Sequence, residues 1–158
     1  MKLLRRTQRV LAAMATPDLA GLPLLGAAPL STPGALPAGE PAEPVTVVSP
    51  MLPARQYPPA GRRILRRLAD GGPMPPVEAL YGYESMRVVL DALRAAGNQA
   101  TDRAEMIEAA REEGARGSVL GPYRFDRRGD TSRRPIALYD LEGGELRYRG
   151  PAPGSDGP

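Results

Sequence analysis

Apolar residues in the middle of the chain recur at helical spacing. From Pro76 to Ala96 they stand three or four positions apart, which places them on one side of an α-helix. Pro76 suits a first helical turn and Gly97-Asn98 a C-terminal stop. The pattern predicts a helix over 76–96 with a broad apolar face, typical of a helix packed on a sheet. The residues of this face are Ala79, Tyr83, Met86, Leu90 and Leu93, with Val89 beside them.

Three shorter segments also have helical patterns. Residues 3–14 are predicted to form an amphipathic helix with its apolar residues on one side, namely Leu3, Leu4, Val10, Leu11 and Met14. Residues 61–70 are predicted to form a helix with Ile64, Leu65 and Leu68 inward and its arginines outward, namely Arg62, Arg63, Arg66 and Arg67. A further helix is expected to run to Gly114 from Thr101 or Asp102, either of which can cap its start.

Apolar and β-branched runs predict strands before and after these helices. The run 22–26 and the run 45–48 are typical of buried strands. Residues 136–141 and 145–148 face each other across the glycine-bearing loop 142–144, which predicts a β-hairpin. A helix followed by short apolar strands indicates an α/β fold with a parallel sheet.

The composition indicates a thin hydrophobic core and few catalytic groups. The 158 residues include one phenylalanine and no tryptophan, whereas large buried side chains supply most hydrophobic free energy, about 1.5–3 kcal/mol each. The chain has no cysteine and no histidine, which removes thiolate chemistry, disulfides and the usual general base. We therefore predict a protein that is not an enzyme and has no catalytic residues, no metal and no cofactor.

Three segments, in this order, resemble one protein family. They are Ala79–Leu93, then 121–126 (Gly-Pro-Tyr-Arg-Phe-Asp) with 128–130 (Arg-Gly-Asp), then 136–139 (Ile-Ala-Leu-Tyr) ahead of the hairpin turn. With 47–50 and the proline-rich connector after it, they resemble the carboxy-terminal part of the type I periplasmic binding proteins of the leucine/branched-chain-amino-acid group. The resemblance runs from about residue 3 to residue 149. It implies an α/β fold, namely a partial, truncated type I periplasmic-binding-protein fold with an incomplete two-lobe architecture and a C-terminal β-hairpin.

The resemblance divides the chain into four parts. Residues 1–50 would be a partial second lobe with a helix and two strands, residues 51–135 helices that return to the first lobe, and residues 136–149 the closing β-hairpin. Residues 150–158 are expected to be a disordered tail. The sheet of the first lobe has no counterpart in the sequence. We therefore expect the apolar face of helix 76–96 to meet strands that this chain does not contain, and a missing complementary half of the same protein is an expected partner.

Proteins of this family trap a ligand between their two lobes. The resemblance implies a non-enzymatic ligand-binding component of an ABC transporter for amino acids or similar small polar solutes. Its implied partners are that small-molecule ligand and an ABC permease, with no nucleic acid, and its implied location is periplasmic or extracytoplasmic. The apolar part of the first residues is too short and too polar to predict a signal peptide. A small-molecule-sensing regulatory module of the same fold is the alternative function.

The resemblance also indicates one ligand-binding residue. In relatives that bind amino acids, an acidic residue shortly before the strand equivalent to 45–48 pairs with the ammonium group of the ligand. Glu43 occupies that position, and a desolvated carboxylate there would form a charge-assisted hydrogen bond. The other interpretation is a solvated loop glutamate, because Glu40 is near and prolines stand on both sides.

Three further clusters have both a structural and a functional interpretation. The arginines of 61–70 form either a solvated face or an Arg-rich phosphate or nucleic-acid-binding face, and the small net charge of +3 favours the solvated face. Tyr81 and Tyr83 either pack in the core, which we expect, or line a cleft. Asp126 and Asp130 flank a glycine turn without the ligand spacing of a calcium loop. We expect aspartate there to bond its own backbone.

Overall fold

The computed structural model describes residues 9–10, 12–13, 16–18, 22–27, 45–112, 117–142 and 145–155. The chain divides into two units, one made of Met1–Pro50 and Pro135–Gly157 and the other of Met51–Arg134. We call them the sheet unit and the helical unit. The hairpin belongs to the sheet unit, because its first strand pairs with the strand at Val45–Ser49.

The sheet unit contains four described strands in the spatial order β1-β2-β3-β4. They are β1 (Leu24–Ala27), β2 (Val45–Ser49), β3 (Ala137–Glu142) and β4 (Glu145–Pro151). β1 and β2 run parallel, whereas β2 with β3 and β3 with β4 are antiparallel. The parallel pair and the hairpin agree with the prediction. The described residues 9, 10, 12 and 13 are helical, and the rest of predicted helix 3–14 lies outside the described residues.

The core of the sheet unit lies on one face of its strands. Successive side chains of a strand point to opposite faces, and Val45 and Val47 of β2 are both fully buried. They cluster with Leu141 of β3, and partly buried Leu24, Tyr139 and Leu146 pack against them. The described cluster therefore has three buried side chains, and each contributes about 1.5–3 kcal/mol when fully buried. This is a small core, as the composition indicated.

The hairpin is longer than predicted. β4 continues to Pro151, which pairs with Ala137. The N–H of Ala152 then donates to the carbonyl oxygen of Ile136 over 2.8 Å. These contacts place residues 150–155 in a strand and a turn, which corrects the expectation that a disordered tail begins at residue 150. Residues 156–158 lie outside the described residues.

The helical unit contains three described helices, α1 (Pro59–Ala69), α2 (Glu78–Ala96) and α3 (Arg103–Glu112). The N–H of Gly97 (φ 52°) donates to the carbonyl oxygen of Leu93 at the end of α2, as the stop signal predicted. Asp102, not Thr101, caps α3, because its Oδ1 accepts from the N–H of Ala104 over 2.7 Å. Within the described ranges, no helix combines the length and the apolar character needed to cross a membrane.

α1 differs from the prediction at two side chains. Leu68 was expected to point inward, but it is exposed because the buried line of α1 is formed by Gly61 and Leu65. Arg62 was expected to point outward. Its Nη1 instead donates to the backbone carbonyl oxygens of Tyr57 over 2.8 Å and Arg55 over 3.3 Å. Arg62 therefore holds the connector that precedes α1.

The apolar side of α2 faces away from the body of the helical unit. The buried residues of α2 are Leu80, Glu84 and Ala92. The opposite side carries the α2 apolar stripe, whose members are 39–59% exposed and are Tyr83, Met86, Val89, Leu90 and Leu93. At 3.6 residues per turn, the two sides are centred about 160° apart around the helix. The expected core packing of Tyr83 is therefore wrong within the described chain. That the apolar face meets strands outside this chain stays a prediction.

α1 comes very close to the loop 117–123 at Gly61. A Cβ atom on Gly61 would lie 2.3 Å from the carbonyl oxygen of Val119, well inside van der Waals contact. Only glycine permits this approach. Gly82, on α2, has nothing within 4 Å of the corresponding position.

We expect Gly61→Ala to destabilise the helical unit, because the added methyl group forces α1 away from the loop. Overpacking of this kind costs typically about 1–3 kcal/mol. Gly82→Ala is the matched control and should stabilise the fold by about 0.5–1 kcal/mol, since alanine favours a helix interior. Urea unfolding of both variants measures the difference. Two variants with the same midpoint would show that the close approach at Gly61 is not a constraint.

Candidate functional site

Glu43, the candidate ligand-binding residue, lies outside the described residues. It stands two positions before Val45, the first residue of β2, which is buried. Its ammonium-binding role therefore stays a prediction. Other charged clusters lie within the described residues.

Glu84 is the one charged side chain that is buried in the described chain, with 4% of its surface exposed. Its Oε1 accepts a hydrogen bond from the Tyr123 hydroxyl over 3.1 Å. Its Oε2 accepts one from the backbone N–H of Val119 over 3.3 Å. A buried carboxylate is tolerated when such donors replace water. Glu84 therefore joins the inner side of α2 to the loop 117–123.

Arg87 binds the same loop from one helical turn further along. Its Nη1 donates to the carbonyl oxygen of Gly117 over 2.8 Å and lies 3.9 Å from Glu84 Oε2. Its Nε lies 3.5 Å from Asp91 Oδ2. We call Glu84, Arg87, Asp91 and Tyr123 the Glu84 cluster. Its cation and its buried anion both hold backbone groups of one loop, so the cluster fixes the position of that loop on α2.

Burial is the main cause that raises the pKa of the Tyr123 hydroxyl far above its usual range. The negative charge of Glu84 and the hydrogen bond to it act in the same direction. Tyr123 therefore stays protonated and donates to the carboxylate. The hydrogen bond from the Tyr123 hydroxyl to the Glu84 carboxylate connects the loop 117–123 to α2. We therefore assign the Glu84 cluster a structural role.

Apolar periodicity alone did not identify the Glu84 cluster, because it marks only the side of α2 that carries the stripe. The signal was present, because Glu84, Arg87 and Asp91 follow one another at three- and four-residue steps on one side of the helix. A charged row of this kind is normally exposed, and only the contact with the loop shows that it is the inner side.

The two tyrosines of the sequence analysis have different environments. The hydroxyl of the fully buried Tyr57 donates to the Tyr81 hydroxyl over 3.3 Å, and the two rings meet edge to face with centroids 6.4 Å apart. Tyr57 also accepts a hydrogen bond from the N–H of Leu52 over 3.3 Å. Tyr81 therefore packs against the core as expected, whereas Tyr83 lies on the exposed stripe.

An open cleft of about 490 Å³ lies between α3 and residues 125–127. Arg111 Nη2 donates across it to the carbonyl oxygen of Arg127 over 2.8 Å. Its Nε is buried with no hydrogen-bond partner among the described atoms. Charges of both signs line this cleft, and Arg111 serves to hold the 125–127 segment. The lining residues are Glu108, Arg111, Glu112, Phe125, Asp126 and Arg127.

The aspartate turn is confirmed as a structural element. Asp126 Oδ1 accepts hydrogen bonds from the N–H groups of Arg128 over 2.8 Å and of Asp130 over 2.9 Å. The bond from Asp130 is the main cause that lowers the pKa of the Asp126 carboxyl, and the bond from Arg128 adds to it. Backbone donors occupy this oxygen, as the turn interpretation predicts.

The arginine face of α1 is smaller than the sequence indicated. Arg63, Arg66 and Arg67 are exposed. Arg62 is occupied by the carbonyl oxygens of the preceding connector. The surface therefore has three exposed guanidinium groups, which fits a solvated face.

We expect Glu84→Ala to destabilise the helical unit strongly, because the Val119 N–H and the Tyr123 hydroxyl lose their acceptor. Each buried group left unpaired costs about 1–3 kcal/mol. Glu105→Ala, which removes an exposed carboxylate from α3, should change stability by less than about 0.5 kcal/mol. Urea unfolding compares them. Similar stability of the two variants would contradict the role of Glu84.

The raised pKa of Tyr123 predicts a loss of stability at alkaline pH. The unfolded chain releases this proton near pH 10 and the folded chain holds it to higher pH, so stability falls as the pH rises above about 10, by up to about 1.4 kcal/mol per pH unit. The chain has one lysine and five other tyrosines, so the contribution of Tyr123 is measured as the difference between matched tyrosine variants. Tyr123→Phe should reduce this slope, and Tyr83→Phe on the exposed stripe should keep it. Equal slopes in urea unfolding at pH 9–11 would contradict the account.

The chain is similar to a known family over most of its length. A family model described as periplasmic binding protein matches residues 6–145. The Leu/Ile/Val-binding protein homolog 2 of Brucella abortus is 30% identical over 87 residues, which are 55% of this chain and 23% of that protein. The match thus spans less than a quarter of the length of this curated relative.

Two solved structures share the fold. The leucine-binding protein of Thermotoga maritima matches with a TM-score of 0.67 at 16% identity, over 95% of this chain and 41% of that chain. A solute-binding protein of an ABC transporter from R. palustris, solved in complex with benzoate, matches with a TM-score of 0.65 at 18% identity, over 94% and 39%. The mixed α/β fold is therefore part of a larger periplasmic-binding-protein fold, as predicted.

These matches confirm the resemblance that was drawn from residues 79–93, 121–130 and 136–139. The family model covers all three segments and the strands β1, β2 and β3. This chain belongs to the periplasmic binding protein family.

Proposed function

We propose that the chain is part of the ligand-binding component of an ABC transporter and that it acts outside the cytoplasm without catalysing a reaction. The observation that carries this proposal is the family match over residues 6–145. In such a protein, ligand stabilises the closed arrangement of two lobes. The sheet unit would belong to the second lobe and the helical unit to the first. An ABC permease is the proposed membrane partner that receives the ligand.

We propose that the ligand is an amino acid with an apolar side chain. The Brucella relative is named for leucine, isoleucine and valine, the Thermotoga protein for leucine, and the R. palustris structure contains benzoate. These molecules share a carboxylate and an apolar body, but benzoate lacks the ammonium group of an amino acid. Glu43 is the proposed partner of that ammonium, through a charge-assisted hydrogen bond. This one residue would then decide between the two classes of ligand.

Thermal unfolding tests the ligand directly, because a ligand that binds the folded state raises the midpoint. L-Leucine at millimolar concentration should raise it, and benzoate should raise it less. Glu43→Gln should weaken leucine binding by roughly 10–150-fold, since a hydrogen bond to a charged group is worth about 1.5–3 kcal/mol. Glu40→Gln is the matched control and should bind as the wild type does.

Two results would contradict separate parts of the proposal. If no amino acid shifts the midpoint at millimolar concentration, the chain has no binding role of this kind. If leucine binds equally well to Glu43→Gln and Glu40→Gln, the ammonium partner is a different residue.

A further inference from the structure

We propose that the arginine face of α1, with Leu68 beside it, is a docking surface for an anionic phospholipid membrane. The face consists of Arg63, Arg66 and Arg67, which are exposed. The choice of a membrane as the anionic partner rests on the proposed function, because an ABC permease lies in a membrane. The surface itself follows from the charge, exposure and chemistry of α1.

α1 carries positive charge that no carboxylate within the helix offsets. Its 11 residues include four arginines and neither aspartate nor glutamate, and Asp70 follows only at the C-cap. The small net charge of the chain reflects carboxylates elsewhere, so it leaves a local positive potential at this helix. Other arginines of the described chain form ion pairs with carboxylates, namely Arg87, Arg94, Arg111, Arg134, Arg147 and Arg149.

The arginine face is accessible to a partner. Its three residues lie within about 100° around the helix, on the side opposite the buried Gly61 and Leu65. Their guanidinium groups form neither ion pairs nor hydrogen bonds with the described residues. Arg66 and Arg67 suit the negative end of the helix dipole, but this leaves their donors unused. Burying three unpaired charges inside the same fold would be costly, so the face lies in water in the free protein.

Arginine side chains are suited to phosphate groups. The planar guanidinium group donates two parallel hydrogen bonds to one phosphate, which a lysine ammonium group does not do. A layer of phospholipid headgroups presents many phosphates in one plane, and each arginine near an anionic layer adds to the attraction. Three unpaired arginines on one side of a helix can therefore contact several headgroups at once.

Leu68 favours a membrane over a dissolved phosphate ion. It follows Arg67 in the last turn of α1 and is more than half exposed, as is Met74 six residues further along the chain. Basic residues beside exposed apolar ones are typical of segments that lie at the surface of an anionic bilayer. The apolar stems of arginine also pack on such a surface while their charged ends stay among the headgroups. A dissolved phosphate ion would give Leu68 nothing to contact.

Co-sedimentation with lipid vesicles tests this docking. The probe is a vesicle of phosphatidylcholine with about one third phosphatidylglycerol, and the neutral control is a vesicle of phosphatidylcholine alone. The wild-type chain should sediment with the anionic vesicles at low salt and stay in solution with the neutral ones. Raising the salt from about 0.05 M to about 0.5 M should release most of it, because ions screen the attraction.

Two pairs of variants locate the surface. Arg63→Gln/Arg66→Gln/Arg67→Gln should weaken vesicle binding at least roughly tenfold, since each arginine near an anionic surface contributes about fivefold in affinity. Glutamine keeps a similar helix propensity, so α1 should stay folded. The matched control removes the same charge at three exposed arginines outside α1 and should bind within roughly twofold of the wild type. It is Arg103→Gln/Arg124→Gln/Arg128→Gln.

The second pair tests the apolar contact. Leu68→Ser should weaken vesicle binding by roughly three- to tenfold, because it removes an apolar side chain from the bilayer surface. Ile107→Ser makes a similar change at an exposed residue of α3 and should bind as the wild type does. Urea unfolding of each variant shows whether it is folded.

Three outcomes would overturn the proposal: no sedimentation of the wild-type chain with anionic vesicles, equal loss in the two triple variants, or release by millimolar inorganic phosphate at constant ionic strength. The last would show that the face binds dissolved phosphate. Adding leucine separates this inference from the proposed function. Vesicle binding without any effect of leucine on the unfolding midpoint keeps the docking surface and removes the amino-acid-binding role. A leucine-dependent midpoint without vesicle binding does the reverse.

Discussion

The buried carboxylate of Glu84 determines which side of α2 faces the body of the helical unit. It accepts hydrogen bonds from Tyr123 and from the backbone of Val119, and a buried carboxylate without such donors would cost several kcal/mol. These bonds fix the helix against the loop 117–123, where α1 also makes its closest approach at Gly61. The orientation of α2 follows from polar contacts, and its apolar residues are left outside.

This arrangement connects the composition to the proposed function. A chain with one phenylalanine and no tryptophan has few large side chains, and five of the large apolar ones on α2 are exposed. Neither unit builds a large core from its described residues. In the proposed function, the exposed apolar side of α2 belongs to the first lobe of a larger periplasmic-binding-protein fold, and the chain matches 41% of the Thermotoga leucine-binding protein.

Local pattern was sufficient to predict much of the fold. The periodicity of 76–96, the β-branched run at 45–48 and the glycine-bearing hairpin each specify an element through contacts within a few residues, and all three are present. The sequence also indicated the family, because the order of three segments carries more information than any one of them. What pattern did not reveal was the environment of each face, which depends on contacts between residues far apart. For this reason Leu68, which was expected to point inward, is exposed, and Arg62, which was expected to point outward, bonds backbone carbonyl oxygens. Glu84 was missed because charged rows are normally exposed. Glu43 stays a prediction, since it lies outside the described residues.

The orientation of α2 is most directly tested by thiol accessibility, because the natural chain has no cysteine. Met86→Cys places a thiol on the stripe, where the side chain is 59% exposed, and Ala92→Cys places one on the inner side, where it is 1% exposed. In the native protein the first thiol should react with an aromatic disulfide reagent at nearly the rate measured in denaturant, and the second at least roughly a hundredfold more slowly, as expected for a site that opens only rarely. A protected thiol at position 86 and a reactive one at position 92 would show that the apolar side is packed inward, and would contradict the account.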